Sequence, residues 1–472
     1  MKKNENGLSL SATDLVGHLN CAHLTKIDLA VAGGTLRAPT FYDPFRHLLQ
    51  ERGSRHEQAY IDHLRLDGLS VVEIPGIGIE DEQVARTREA MVGGAQVIVQ
   101  GAFRKERWVG RADVLLRVEQ ASGLGSWAYE IVDTKLSRET KAGTVLQLCL
   151  YADFVGGVQG RRPEYGYVVA PHTAFERQPY RMDDYGAYFR RAQASLVDAI
   201  AEQTAYPSYP EPCAHCEICR WSQSCEQQRR ADDHLSFVAG STKLQIEELR
   251  RQGIDTIASL AEMSTPLEWK PTRGARTSYE RICQQARLQV QGRTAGRVLH
   301  ELLPVEPGFG LAALPEPSPG DVFFNLEGDP FVGEHGIEYL FGYAYDDGGV
   351  VSYVEDWALS REEEKASFER FIDFVTTRLE VWPDLHVYHF APYEPAALKR
   401  LMGRYATREN QLDALLRGGR FVDLYSVVRN GVRASVESYS IKKLEPLYDY
   451  QRDVDLVDAN RAHFQDRSSS RA

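Results

Sequence analysis

Apolar residues recur at helical spacing from residue 8 to 32, where Leu15, Leu19 and Leu24 form one stripe and Ser11 or Thr13 is placed to cap the first turn. A second helix is predicted over residues 44–66. Its inward stripe, Leu49, Gly53, His56, Tyr60 and Leu64, advances by steps of four, three, four and four. Residues 82–92 read as a further helix. The period then changes to two: residues 95–103, 108–119 and 127–135 read as strands, the last two joined by a Gly/Ser turn at 121–126. A helix over about 141–154, a strand at 168–170 and a long helix over 183–204 follow.

Beyond residue 232 the pattern restarts. Residues 244–261 form two short helical stretches about a Gly-Ile turn, which reads as a helical hairpin. Residues 303–320 are rich in Pro and Gly and read as a linker. From Asp321, strands at 322–327, 340–345, 350–354 and 385–390 alternate with helical stretches at about 361–380 and after Tyr393-Glu394-Pro395, ending in Phe421-Val422-Asp423. Such alternation predicts an α/β layer.

A chain of 472 residues is expected to form two or three domains. Its 43% hydrophobic and 26% charged residues are those of a globular protein. No apolar run approaches the roughly 20 residues that span a bilayer. The first residues, Met1 to Gly7, lack the apolar core of a secretory signal, so a cytoplasmic location is expected. The net charge of −12 argues against coating nucleic acid over the whole surface, yet leaves room for a local basic groove. Between Lys270 and Arg297 seven Lys/Arg face one acid, Glu280, which reads equally as a solvated helix face or a phosphate-contacting surface.

The candidate chemistry is concentrated in three places. Gly110-Arg111-Ala112-Asp113 leads one strand, and the next carries Asp133-Thr134-Lys135. Strand alternation puts Asp133 and Lys135 on one face and turns Thr134 away, so a metal-binding carboxylate and a water-holding ammonium stand side by side. Gln147 and Tyr151, four apart on a helix, share a face and can reach phosphate or base edges. His56 is either a satisfied core histidine or the ligand that completes a divalent-metal site. Of seven cysteines, Cys213, Cys216, Cys219 and Cys225 fall within thirteen residues, which suggests a metal or iron–sulfur site. The fourth partner of Cys216, Cys219 and Cys225 is either Cys213, giving a structural zinc knuckle, or the distant Cys21, giving a four-cysteine cluster. Cys149 reads as packing.

These residues, over about 8–232, resemble the PD-(D/E)xK nuclease domain of the RecB type, including the subset with a four-cysteine iron–sulfur frame. The resemblance implies a restriction-endonuclease-like core in which His56, Asp113 and Asp133 bind Mg²⁺ or Mn²⁺ and Lys135 positions the attacking water. Gln147 and Tyr151 complete its motif, and Cys21, Cys216, Cys219 and Cys225 hold a [4Fe–4S] cluster, leaving Cys213 without a role. The hairpin resembles a helix–hairpin–helix. Residues 321–472 resemble a DnaQ-type, YprB-like ribonuclease H-like domain, a partner often fused behind RecB-type nucleases and continuing into a helicase, which is thus an expected partner. Where that family has Asp-x-Glu, this chain has Asn325-Leu326-Glu327, and no late helix with a final metal-binding Asp is evident before Ala472. The second domain is therefore expected to be incomplete and weak or inert, with Glu327, Glu394 and Asp423 as vestigial metal candidates. The expected organisation is a nuclease over 1–231, a helical segment over 232–302, the linker and the partial domain. The expected function is a metal-dependent deoxyribonuclease, an exonuclease acting on single-stranded ends in DNA repair or processing. The alternatives are a non-catalytic nucleic-acid-binding remnant of a larger nuclease–helicase and a zinc-knuckle protein acting on RNA.

Overall fold

A computed structural model of the chain describes residues 1–4, 7–39, 44–137, 139–171, 173–201, 208–330, 332 and 335–451. It divides into two compact units, Met1–Gln228 and Arg229–Ala472. Among the described residues no helix is long and apolar enough to cross a membrane.

The first unit opens with a short hairpin, β1 (Lys2–Asn4) and β2 (Gly7–Ser9), followed by α1 (Ala12–Asn20) and α2 (Ala22–Ala32). The single helical stretch read from the periodicity is thus two helices. Cys21 breaks them by adopting an extended backbone, φ −155° and ψ 104°, as the end of one and the start of the other. Ser11 and Asp14 cap α1 reciprocally. The long α3 (Pro44–Leu66), the strand β3 (Val71–Glu73) and α4 (Asp81–Val92) lead into a meander of β4 (Val97–Lys105), β5 (Trp108–Val118) and β6 (Ala128–Thr134). Then come α5 (Ala142–Gln159), β7 (Tyr165–Val169), β8 (Gln178–Arg181), α6 (Met182–Ala201) and α7 (Ser222–Ala231).

The sheet order is β3-β4-β5-β6-β7-β8, with β6 and β7 parallel and the β4–β5–β6 pairs antiparallel. Alternation sorts the side chains to two faces. Leu115 and Ile131 join Leu146, Leu150 and Phe189 in the core with α5 and α6, whereas Val114, Leu116 and Val132 pack with Tyr60 and Leu64 of α3. α5 is apolar nearly all round because it lies between sheet and α6, and Cys149 is fully buried within it.

The second unit begins with α8 (Lys243–Arg251), α9 (Ile257–Glu262) and α10 (Arg276–Ala295), which enclose a small core around Leu249, Leu260, Tyr279 and Ile282. Then follow β9 (His300–Leu302), β10 (Val322–Asp329), β11 (Ile337–Asp346), β12 (Val351–Trp357), α11 (Arg361–Val381), β13 (Val387–His389), α12 (Tyr393–Tyr405), α13 (Glu409–Arg417), β14 (Phe421–Asp423), α14 (Leu424–Gly431), β15 (Val432–Ala434) and α15 (Ile441–Leu444). The main sheet runs β12-β11-β10-β13-β14, antiparallel on the β12 side and parallel on the β14 side. β9 pairs with β15, and the 303–320 segment lies against α14, where Leu303 N donates to Gly431 O at 2.9 Å. Gly310 is required there: its φ is +58° and an added Cβ would stand 2.8 Å from Asn430 O.

Candidate active site

Val114 of β5 pairs with Val132 of β6, so the flanking Asp113 and Asp133 meet across the strands on the face that looks to α5. Asp113 Oδ2 accepts from Thr134 N at 3.1 Å and from Thr134 Oγ1 at 3.3 Å. The hydroxyl expected to turn away therefore folds back onto the aspartate, because β6 ends at that residue. Asp133 is fully buried and its Oδ1 accepts from Gln147 Nε2 at 3.0 Å. Lys135 Nζ lies 2.6 Å from Asp133 Oδ2 and pairs with that oxygen as an ammonium–carboxylate contact.

Burial, then the neighbouring Asp113 charge, pushes the Asp133 carboxyl well above the usual carboxylate range, against the pull of Lys135. Burial acts to lower Lys135, but Asp133, Asp113 and Glu57 outweigh it and raise the ammonium, which stays charged. A carboxyl raised by folding contributes stability below the unfolded carboxylate range and loses it as pH rises through the folded value. Asp133→Asn removes that loss. In EDTA, the unfolding free energy of the variant minus that of the unaltered chain should therefore grow as pH rises above the ordinary carboxylate range. Denaturant titrations at a series of pH values test this; a difference that stays flat or shrinks contradicts the assigned environment.

Tyr151 stands behind this pair, accepting from Gln147 Nε2 at 3.3 Å through its hydroxyl. Burial and the two aspartates push its phenol far up. Gly110 explains the glycine that opens the β5 motif: a Cβ there would stand 2.7 Å from the Tyr151 ring and 2.8 Å from that of Phe154. Gly110→Ala must displace Tyr151 and so shift the Gln147 that holds Asp133. The expected result is cleavage slowed about tenfold to a hundredfold for a roughly 1–3 kcal/mol loss of stability. Initial rates and thermal unfolding measured together would show it, and an unchanged rate would separate Tyr151 from the chemistry.

His56 is placed differently. Its Nε2 bonds Val169 O at 3.0 Å, the same carbonyl that accepts from Lys135 N at 3.1 Å, and its ring stacks on Phe175 at 6.1 Å. Among the described residues no three His, Cys, Asp or Glu side chains stand together as a metal-holding group. The two aspartates adjoin one another, while His56 is tied to the same corner through the end of β7.

Glu57, absent from the sequence-based set, belongs to this corner. Burial, then Asp113, raises its carboxyl, and Lys135 acts on it in the opposite sense. It is held by Gln100, whose Nε2 donates to Glu57 Oε1 at 2.5 Å and whose Oε1 accepts from Arg111 Nε at 3.1 Å. Gln100 has φ +56° and stands opposite Asp113, between the Val99–Val114 and Gly101–Ala112 pairs, where the ladder keeps its register while the Gln100 backbone turns left-handed. A non-glycine residue in the left-handed region of a strand is a costly feature that clusters at functional sites. Glu57 could have been suspected from its place beside His56, but it lies off the apolar stripe, and its partner Gln100 comes from the distant β4.

The cysteine loop turns tightly over residues 214–218. Cys213 N donates to Cys216 Sγ at 3.5 Å, the two sulfurs are 3.8 Å apart, and Trp221 N donates to Cys219 Sγ at 3.5 Å. Burial first, then Cys216 and Cys21, push the Cys213 thiol up to about 11; Cys219 is raised by burial and by the same two neighbours. Cys21, at the break between α1 and α2, thus stands beside this loop, and Cys225 lies on α7. All are free thiols and partly exposed, unlike the buried Cys149 and Cys283.

In the second unit Asn325 and Glu327 sit on the exposed side of β10, with Asn325 Nδ2 donating to Glu327 Oε1 at 3.3 Å. Asp423 Oδ1 accepts from Ala391 N at 2.9 Å and Tyr425 N at 3.0 Å, so it caps α14. Glu394 is buried beside His389 at 3.6 Å, and its Oε2 has no hydrogen bond. The late helix looked for in the tail falls on residues 452–472, outside the described residues.

Residues 31–226 match the family model of the PD-(D/E)XK nuclease superfamily, and residues 322–464 match that of the RNase_H superfamily. No curated protein matches the chain. The chain joins a PD-(D/E)XK nuclease superfamily domain to an RNase_H superfamily domain, a composition that supports a nuclease.

Proposed function

We infer that the first unit is a Mg²⁺- or Mn²⁺-dependent deoxyribonuclease that trims single-stranded ends as an exonuclease in DNA repair or processing, in the cytoplasm, alongside a helicase. The observation that carries the reading is the fully buried Asp133 set between Asp113 and the charged Lys135, whose Nζ lies 2.6 Å from Asp133 Oδ2. That donor set suits a hard divalent cation, and Asp113 and Asp133 would hold it, with His56 as the third candidate. When bound, the ion supplies Lewis-acid polarisation of the phosphate and an acidified water. Gln147 fixes the Asp133 carboxylate. Lys135 orients the attacking water and offsets the negative charge that grows on the phosphate. Glu57, whose carboxyl feels the charges of both Asp113 and Lys135, is the further candidate to take up a proton from that water.

Cys21, Cys216, Cys219 and Cys225 are proposed as a structural [4Fe–4S] frame clamping the α1–α2 break to α7. The closeness of Cys213 to Cys216 favours a second arrangement, zinc held by Cys213, Cys216, Cys219 and Cys225. Iron and zinc analysis with visible absorbance separates them; zinc without iron removes the cluster. The second domain is proposed to be inert, since Asn325 replaces a ligand and Asp423 is spent as a cap. Glu327→Ala should leave cleavage unchanged. The deciding experiment is cleavage of labelled single- and double-stranded DNA and RNA with and without Mn²⁺; metal-independent binding with no turnover would instead identify a nucleic-acid-binding remnant.

A further inference from the structure

A second concentration of charge lies far from carboxylates, within the second unit. α8, α10, α14 and β15 enclose a cavity of about 350 Å³ lined by Arg281, Arg429 and Arg433 and by the polar groups of Gln245, Ser278 and Tyr439. Its one acid among the described lining residues, Glu437, is held by Arg230 through paired 2.9 Å bonds. Arg433 is held by Glu301 at 2.7 Å and Gln284 at 2.6 Å. Arg281 is exposed and has neither hydrogen bond nor ion pair among the described residues. Arg429 is exposed too; its one bond is to the Tyr425 hydroxyl at 3.2 Å, with the guanidinium 5.8 Å from that ring.

The structure also divides the basic run of residues 270–297 by role. Arg287 is spent on the carbonyls of Ala261 and Met263, and Arg293 on Asp233 at 2.5 Å. Arg276, in the first turn of α10 where the helix dipole disfavours positive charge, and Arg281, beyond that turn, have no hydrogen bond or ion pair among the described residues. Neither α8 nor α10 carries an acid in its first turn to offset this. Gln245 Nε2 bonds Ser278 O at 3.4 Å, so both positive helix ends lie at the same cavity. Arg281 and Arg429, both exposed at one cavity and neither paired with a carboxylate among the described residues, call for an anion from outside.

We propose that this cavity is a phosphodiester-binding groove in which Arg281 and Arg429 grip the backbone of a single nucleic-acid strand, making the second unit a strand holder. Guanidinium forks match phosphate oxygens, and Tyr425, already beneath Arg429, offers a ring against a base. The proposal rests on the nuclease reading only for the class of anion.

The test is binding of a fluorescent single-stranded oligodeoxynucleotide to the full chain in EDTA, where no cleavage occurs. Arg281→Glu with Arg429→Glu should weaken binding about tenfold or more and reduce the slope of log K against log salt by about 1.4, at about 0.7 for each lost phosphate contact. Arg417→Glu, on α13, should leave both unchanged. Unchanged affinity in the double variant, an equal loss in Arg417→Glu, or a site that takes inorganic phosphate or a mononucleotide but no strand overturns the proposal. Cleavage with unaltered binding by the double variant sinks the groove and spares the nuclease. Groove-dependent binding with no cleavage in Mg²⁺ or Mn²⁺ does the reverse.

Discussion

Lys135→Ala should lower metal-dependent cleavage by about a thousandfold or more, a barrier increase of about 4 kcal/mol at 1.36 kcal/mol per factor of ten. Asp113→Ala should do the same. The two losses arise differently. Lys135 is the cation set against Asp133 at 2.6 Å and the group placed to hold water. Without it a buried carboxylate faces Asp113 with no compensating charge, so Asp133 binds its proton more tightly and becomes a poorer ligand. Asp113 is also fastened to Thr134 by two bonds, so its loss frees the end of β6 as well as a metal position. Rates in Mg²⁺ and Mn²⁺, with binding of the same substrate in EDTA, separate the chemical step from affinity. Normal cleavage by either variant would remove the site from this corner of the sheet, and Lys135→Arg, which keeps charge but not shape, should recover little of the rate.

The parts of this arrangement that were readable in advance are those with a strong local period. Successive strand residues point to opposite faces, so the common facing of Asp133 and Lys135 followed from counting, and the four-residue step from Gln147 to Tyr151 gave their common face. The order of β10 to β14 with α11 and α12 was equally open to inspection, whereas α13, α14 and the short β9 and β15 give little signal and were not read. What stayed hidden depends on distant partners. Gln100 takes a left-handed backbone opposite Asp113 although the pairs on either side are regular, and no residue near Gln100 announces it. His56 faces Val169 O because β7 ends beneath α3, a tertiary coincidence that periodicity does not contain. Cys21 reads as a mid-helix residue because both neighbours favour helix, while the chain breaks there to turn α2 away. In the basic run, equal side chains have opposite fates, Arg287 inside a carbonyl nest and Arg281 open, which composition alone cannot separate.

The largest effect on folding is expected at Glu364, in the first turn of α11. Its carboxylate is fully buried and accepts from Glu338 N of β11 at 2.6 Å, Arg361 Nη1 at 2.9 Å and Arg404 Nη1 at 2.9 Å, with the Tyr405 hydroxyl as a fourth donor. One acid thus ties α11 to the end of α12 and to the sheet. Glu364→Ala removes the acceptor but leaves the donors, and stripping one partner from a buried ion pair costs about 3–5 kcal/mol. Arg361 is partly exposed and can turn to water, which places the loss toward the lower end of that range. For a unit of this size about 2–4 °C accompanies each kcal/mol, so its thermal transition should fall on the order of 10 °C. Glu364→Gln should lie between, since the amide oxygen still accepts from the Glu338 N–H while its NH₂ group opposes Arg404. The catalytic carboxylates are in the other compact unit, so metal-dependent cleavage at 25 °C should survive the substitution. Calorimetry beside a cleavage assay decides the matter: an unshifted transition would deny Glu364 its role as a tie, and cleavage lost in step with the second unit's stability would show that the nuclease depends on it.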